Sequence, residues 1–377
     1  MIIRPVIIIL SFVFSLLACS FFVKSSDSEK TTDTEVVQPA DSLITIVFAG
    51  DMMGHEGQYK AAWVDSLGRY VYDPCFQFVK EYVQNADLAV VNLEVPIAGK
   101  PYSTYPQFCS PDELLDGLKN AGFDVVLTAN NHTVDKGKRG LERTIEQLEQ
   151  RGFAFLGSYR DTAQRDSIYP LIVDVQGLRA AFLNCTYGTN GLPVTPPNIV
   201  NMIDTNDLLH ALKKADSLRA DIKIVCIHWG NEYELHSCSA QRTMAQWLAD
   251  NGTDLIIGGH PHVVQEADTL YRADGTPVVC FYSLGNYISN QRKPHTNGGI
   301  MVKATINRFS GKVVAMSYLP SFVHRGTLDG KYQYYLISTP QYFANPARFQ
   351  LNRQDSTDLD FFHNETLKRL SNFVVEE

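Results

Sequence analysis

The chain has 377 residues, of which 45% are hydrophobic and 20% charged, with a formal net charge of −8. That is an ordinary globular mix, so wholesale disorder, coiled coil and collagen are excluded. The acidic balance leaves no surplus of cations to neutralise a phosphate backbone, so nucleic-acid binding is excluded as the main role.

The chain opens with a targeting pattern. Arg4 gives a short positive region, and residues 7–18 are apolar apart from Ser11 and Ser15. About a dozen apolar residues suit the core of a signal segment better than a membrane span. The run Leu16-Leu17-Ala18-Cys19 resembles a bacterial lipobox, which implies a signal peptide over 1–19 and lipid on Cys19. The polar stretch 20–42 reads as a flexible tether holding the rest at a bacterial envelope membrane, on the periplasmic or surface face. Six cysteines remain after Cys19. Cys185, Cys226 and Cys280 sit in apolar strand-like runs and are expected as buried thiols, while Cys75–Cys109 is the one conceivable bridge.

Strands and helices then alternate. Strands are expected over 43–49, 87–93 and 123–127, with a helix over 73–86 between the first two. Ser110-Pro111-Asp112-Glu113 reads as a helix start with Ser110 as its cap, and Gly122 as the stop. Leu141, Ile145 and Leu148 mark another helix that ends at Gly152. Further strands are expected over 171–175, 179–184, 222–227, 254–257, 278–282, 299–306 and 312–319. Helices are expected over 207–217, around Met244–Leu248 and over 357–373. The segment after Pro320 reads as irregular and aromatic-rich. This rhythm predicts a mainly parallel α/β system with helices outside and antiparallel additions late in the chain.

The chemistry gathers where those strands end. Asp51 follows the first strand, Glu94 the second, and Asn131-His132 the third. His228 follows the 222–227 strand, and His260-Pro261-His262 the 254–257 strand. In parallel sheets, ligands bind at the carboxyl ends of strands. Asp51, Glu94, Asn131, His228, His260 and His262 together offer oxygen and nitrogen donors suited to one or two divalent ions, such as Mn, Zn, Fe or Mg. Glu232 is an ambiguous loop carboxylate. Lys136, Lys138 and Arg139 are read as a solvated helix start.

The series Gly50-Asp51-Met52-Met53, Asn92-Leu93-Glu94, Asn130-Asn131-His132-Thr133-Val134-Asp135, His228-Trp229-Gly230-Asn231-Glu232, Gly259-His260-Pro261-His262 and Ser283-Leu284-Gly285-Asn286 resembles the CapA (PgsA-type) family of poly-γ-glutamate capsule biosynthesis proteins. That family is related to calcineurin-like metallophosphoesterases. The resemblance covers about residues 44–320. It implies a four-layer αββα sandwich over 43–320 with a small extension over 321–377. It implies Glu94 as the bridging carboxylate, and Asp51, Asn131, His228, His260 and His262 as further metal ligands. His132 would assist the leaving group, and Asp135 would orient a neighbour at the catalytic position. One departure is clear: metallophosphoesterases carry His two residues after the first Asp, and here that residue is Met53, with His55 the next histidine. Two functions follow as expectations. One is a metal-dependent hydrolase acting on a phosphoester or a polyglutamyl amide. The other is a non-catalytic component with a degraded metal site that binds an anionic polymer beside membrane synthase or export partners.

Overall fold

The computed structural model describes residues 42–376. The signal segment, Cys19 and residues 20–41 of the tether lie outside the described residues. Among the described residues no helix is long and apolar enough to cross a membrane.

Two sheets carry the molecule. The strand Leu43–Met52 alternates its side chains: Ile44, Ile46 and Phe48 enter one hydrophobic cluster, while Val47 and Ala49 enter another. A strand with both faces apolar must be covered on both sides. The same holds for Ile222–His228, which sends Ile222, Ile224 and Cys226 one way and Val225 and Ile227 the other. Their shared cluster lies between the sheets. The outer clusters take the apolar stripes of helices, such as Leu141, Ile145 and Leu148 of Gly137–Gln150, or Leu208, Ala211 and Leu212 of Thr205–Ser217. Three buried interfaces between four layers make the expected αββα sandwich.

In the first sheet, Leu43–Met52 pairs in parallel with Leu88–Leu93, which continues in parallel through Val125–Leu127 to Ala154–Leu156. On its other side it pairs antiparallel with Gly298–Asn307, and the sheet grows outward through Val313–Leu328 and Lys331–Ser338. In the second sheet, Leu178–Thr186, Ile222–His228, Leu255–Gly259 and Pro277–Phe281 run parallel, flanked by antiparallel edges. The parallel strands of both sheets bring their carboxyl ends to one rim.

Several expectations need correction. The helix expected over 73–86 is two short helices, Asp73–Phe76 and Lys80–Gln84, separated by a turn. The helix expected to start at Ser110 is Glu113–Ala121, with Asp112 in the cap position. The Ser110 hydroxyl is buried without a partner, and Asp112 instead accepts two hydrogen bonds from Arg143. Gly122 does end it, at φ 109°. The stretch after Pro320 is not irregular. Val313–Leu328 is one strand that runs through the 320/321 boundary, and its partner Lys331–Ser338 carries Tyr334 and Tyr335 into the core. Aromatic residues favour the half-buried surface of a sheet, and Pro320 sits where Ile300 is its partner across the ladder. The last helix is Arg353–Arg369. The six cysteines of the described residues are free, and Cys75 and Cys109, a pairing the sequence left open, form no bridge.

Candidate metal centre

Five strand ends deliver the side chains. Asp51 lies in the last turn of the first strand, and Glu94 directly follows Leu88–Leu93. Asn131 and His132 occupy the turn after Val125–Leu127. His228 ends its strand, and His260 and His262 follow Leu255–Gly259. All are buried.

The last loop is shaped by strain and by two glycines. His260 and His262 adopt positive φ, 99° and 58°, a region that costs ordinary residues of order 1–2 kcal/mol. A Cβ on Gly258 would fall 2.0 Å from the Tyr282 carbonyl oxygen, and one on Gly259 would fall 2.8 Å from Asp51 Oδ1. Only glycine there lets the histidine loop come down onto Asp51.

Within the cluster, Asn92 Nδ2 donates to Asp51 Oδ1 at 2.8 Å, and the His260 backbone N–H donates to Asp51 Oδ2 at 3.1 Å. His262 Nδ1 lies 3.4 Å from Asp51 Oδ2 and 3.1 Å from Asn286 Oδ1. His228 Nε2 lies 2.9 Å from Asn131 Oδ1 and 3.5 Å from Glu94 Oε1. Glu94 is fully buried, and neither of its carboxylate oxygens has a hydrogen-bond partner among the described residues; the same is true of His260 Nδ1. Ligand atoms of Glu94, His228 and His260 lie within 4.8 Å of one another, and so do those of Asp51, Glu94 and His262. Glu94 belongs to both groups.

This is the donor chemistry a divalent cation takes. A buried carboxylate that makes no hydrogen bond, with the imidazoles of His228 and His262 only as near as 3.5 and 3.8 Å, is costly unless a cation satisfies it. Without the ion, burial and the charge of Asp51 push the Glu94 carboxyl up to about 8. Burial also opposes a charge on His262, but Glu94 and Asp51 outweigh it and raise that imidazole to about 9. Burial holds His228 down at about 3 and, with His228 beside it, His260 at about 2. Burial works against ionised Asp51, yet its bond to His262 and the nearby imidazoles bring it to about 2. The oxygen and nitrogen donors present fit a divalent ion shared through Glu94.

His132 directly follows Asn131 and belongs to neither donor group. Its Nδ1 donates to Asp135 Oδ2 at 2.7 Å, and that same oxygen accepts the Phe108 backbone N–H at 2.7 Å. The Phe108 ring packs edge-on against the imidazole, 4.8 Å between centroids. The ring is therefore held in one orientation on the wall of a cavity of about 350 Å³, which His262, Met53 and His55 also line. That volume is in the range of small-molecule sites. His55 caps the helix Glu56–Ala62 with its ring against Gln58 and belongs to neither donor group. Glu232 is exposed at the cavity. Lys136, Lys138 and Arg139 do not line it, and Lys138 approaches Glu142 on its own helix at 3.9 Å.

Three residues were not singled out as site residues from sequence. Asn92 bridges Asp51 and His228 by facing both, with its Nδ2 3.3 Å from His228 Nδ1. Asn286 orients His262. Tyr187 leans on the His260 ring at 4.6 Å. Asn92 and Asn286 stand in strand-end motifs and were legible as such. Tyr187 carries no local signal, because it reaches the site through the fold.

A family model described as "Bacterial capsule synthesis protein PGA_cap" matches residues 45–291. The chain belongs to this family. Relatives of this PGA_cap protein include the capsule biosynthesis protein CapA of Bacillus anthracis, 28% identical over 72% of this chain and 66% of its own length. The PGA biosynthesis protein CapA of Bacillus subtilis (strain 168) is 29% identical over 73% of this chain and 70% of its own. The chain thus spans about two thirds of the length of these relatives. Solved structures similar to it include a Haemophilus influenzae NAD nucleotidase, with a TM-score of 0.48 and 10% identity over 89% of this chain and 57% of that one. A calcineurin-like phosphoesterase, YfkN from Bacillus subtilis, has a TM-score of 0.44 and 14% identity over 87% of this chain and 98% of that one.

Proposed function

We propose that this PGA_cap protein is a metal-dependent hydrolase of capsule or poly-γ-glutamate metabolism, cleaving a phosphoester or a polyglutamyl amide. The observation that carries the reading is Glu94: buried, without a hydrogen-bond partner, and common to two groups of metal-ligating side chains. Glu94, His228 and His260 would hold one divalent ion, with Asn131 beside them. Asp51, Glu94 and His262 would hold a second. Such ions polarise the scissile group and bring the pKa of water near neutrality.

The remaining work falls to the protein. The cavity beside His132 and His262 receives the substrate segment. Asp135 keeps the proton of His132 on Nδ1 and fixes the ring, so Nε2 is the atom free to pass a proton to the leaving group. Asp135 is a positioning residue. Asn92 holds Asp51 and His228 in register, and Asn286 does the same for His262. Lipid on Cys19 would anchor the domain at the periplasmic or surface face of the envelope, beside polymer synthase or export partners. Residues 43–320 and 321–377 would act as one unit there, since one strand runs through the boundary.

One observation favours the second reading, a polymer-binding component without catalysis: Met53, a thioether, is buried on the cavity wall where metallophosphoesterases carry histidine. Metal analysis of the purified protein, followed by assays on a chromogenic phosphodiester and on poly-γ-glutamate, separates the two. Metal-dependent turnover that His260→Ala abolishes supports the hydrolase. Polymer binding without turnover supports the second reading.

A further inference from the structure

We propose that Lys293 and Tyr233 form a subsite for a carboxylate of the bound chain, apart from the reacting bond, and so set substrate choice. The inference rests on the proposed function for the identity of the chain, and not for the existence of the subsite. It begins with an ammonium group that has no counter-ion among the described residues. Among the described residues, Lys293 is the one lysine or arginine on the wall of the 350 Å³ cavity that His132 and His262 share. Most charged pairs of this protein close on each other, as Arg143 does with Asp112 and Arg165 with Asp207. Lys293 makes no ion pair among the described residues. Its Nζ lies 3.7 Å from the centroid of the Tyr233 ring. A lysine over a ring face is held by the ring's electron-rich surface while its N–H groups stay available.

Tyr233 is itself fixed, and at a cost. It adopts φ 68°, a region most residues avoid. Its backbone N–H donates to the Pro261 carbonyl oxygen at 2.8 Å, in the middle of the loop that carries His260 and His262. Its ring lies 6.1 Å from that of His262. Strain of this kind persists where the surroundings enforce it, and it concentrates at ligand clamps. The tyrosine therefore ties the position of the ammonium to the loop of the metal cluster. Tyr105 and Phe108 add aromatic walls for the aliphatic part of a chain. Glu232, exposed on the same wall, carries the opposite charge and forms no ion pair with Lys293. Lys293 is solvent-exposed on the cavity wall, and an unpaired ammonium held over a ring there can bind an external anion by charge-assisted hydrogen bonds. A γ-linked glutamyl chain presents such a carboxylate on every residue, beside an apolar stem.

The test is calorimetric binding to the full-length, metal-loaded protein with two probes. One is a short γ-glutamyl oligomer, and the other is the same oligomer with its carboxylates methyl-esterified. Lys293→Ala should weaken binding of the charged oligomer about tenfold, the order expected for one charge-assisted contact. The esterified oligomer should bind wild type and variant alike. Lys293→Arg should recover most of the loss, and metal content should be unchanged in both variants. Equal binding of the charged oligomer by wild type and Lys293→Ala overturns the subsite, as do equal losses with both probes. Failure of wild type to bind the charged oligomer also overturns it. Absence of turnover with an intact Lys293 effect overturns the hydrolase and leaves the subsite standing.

Discussion

Replacing Glu94 by Gln should invert the response of the protein to metal. Burial pushes the Glu94 carboxyl from its ordinary 4.5 up to about 8, so the metal-free protein carries it protonated at neutral pH. A raised carboxyl contributes stability that is complete below about 4.5 and is lost as pH rises through about 8. At about 1.4 kcal/mol per pH unit, the loss accumulated by pH 7 is about 3 kcal/mol. Glutamine resembles the protonated acid in size and charge, and escapes that loss. Asp51 remains as the partner of His262. The metal-free variant should therefore melt several degrees above metal-free wild type at pH 7, and the two should converge below pH about 4.5. Metal reverses the order. Wild type at a hundred times its Kd gains about 2.7 kcal/mol, whereas the variant has lost the one ligand both groups share and gains little. Differential scanning calorimetry with chelator and with added Mn²⁺ at pH 4.5 and 7 reads all four states. A metal-free variant less stable than wild type at pH 7, or one with the full metal-induced shift, refutes the reasoning.

His132→Ala should lower turnover by about 10²–10⁴-fold with metal content intact; metal loss in this variant would place His132 among the ligands instead. Metal-free wild type should be most stable near pH 6.5. Below that value His228, His260 and His55, held down at about 3, 2 and 4, refuse protons the unfolded chain takes, and together they outweigh the opposite trend of Glu94 that begins near pH 4.5; above it His262 and Glu94, raised to about 9 and 8, keep protons the unfolded chain has released. Thermal melts across pH with chelator present check this, and a flat profile contradicts it. Gly258→Ala would drive a methyl group to 2.0 Å from the Tyr282 carbonyl oxygen, backbone that cannot yield cheaply. A loss of about 1–3 kcal/mol, with metal binding lost alongside, is expected in chemical denaturation and metal analysis. Cys19→Ser should move the protein from the membrane to the soluble fraction in cell fractionation; unchanged membrane association contradicts the lipid anchor.

Much of the fold was legible because its strands are short apolar runs closed by polar strand ends. Leu88–Leu93 and Ile222–His228 are covered on both faces, and their composition says so. The candidate site residues stood out for the same reason: a buried strand followed at once by Asp51, Glu94 or His228 leaves few other places for a charge. The failures are tertiary. Ser110 carries every mark of a helix cap, but Asp112 is engaged by Arg143 from another helix, and the turn is set by that contact. The segment after Pro320 reads as irregular, yet a long antiparallel ladder carries the strand past that proline. Asn92 shows its position at a strand end but not that it faces Asp51 and His228 at once. Tyr187 gains its role from the loops it leans on, and no spacing along the chain records that.

The most direct measurement is anomalous diffraction at the metal absorption edge from crystals of the loaded protein. The account predicts two peaks that share Glu94, one beside His228 and His260 and the other beside Asp51 and His262. A map in which no ion touches the Glu94 carboxylate would contradict it.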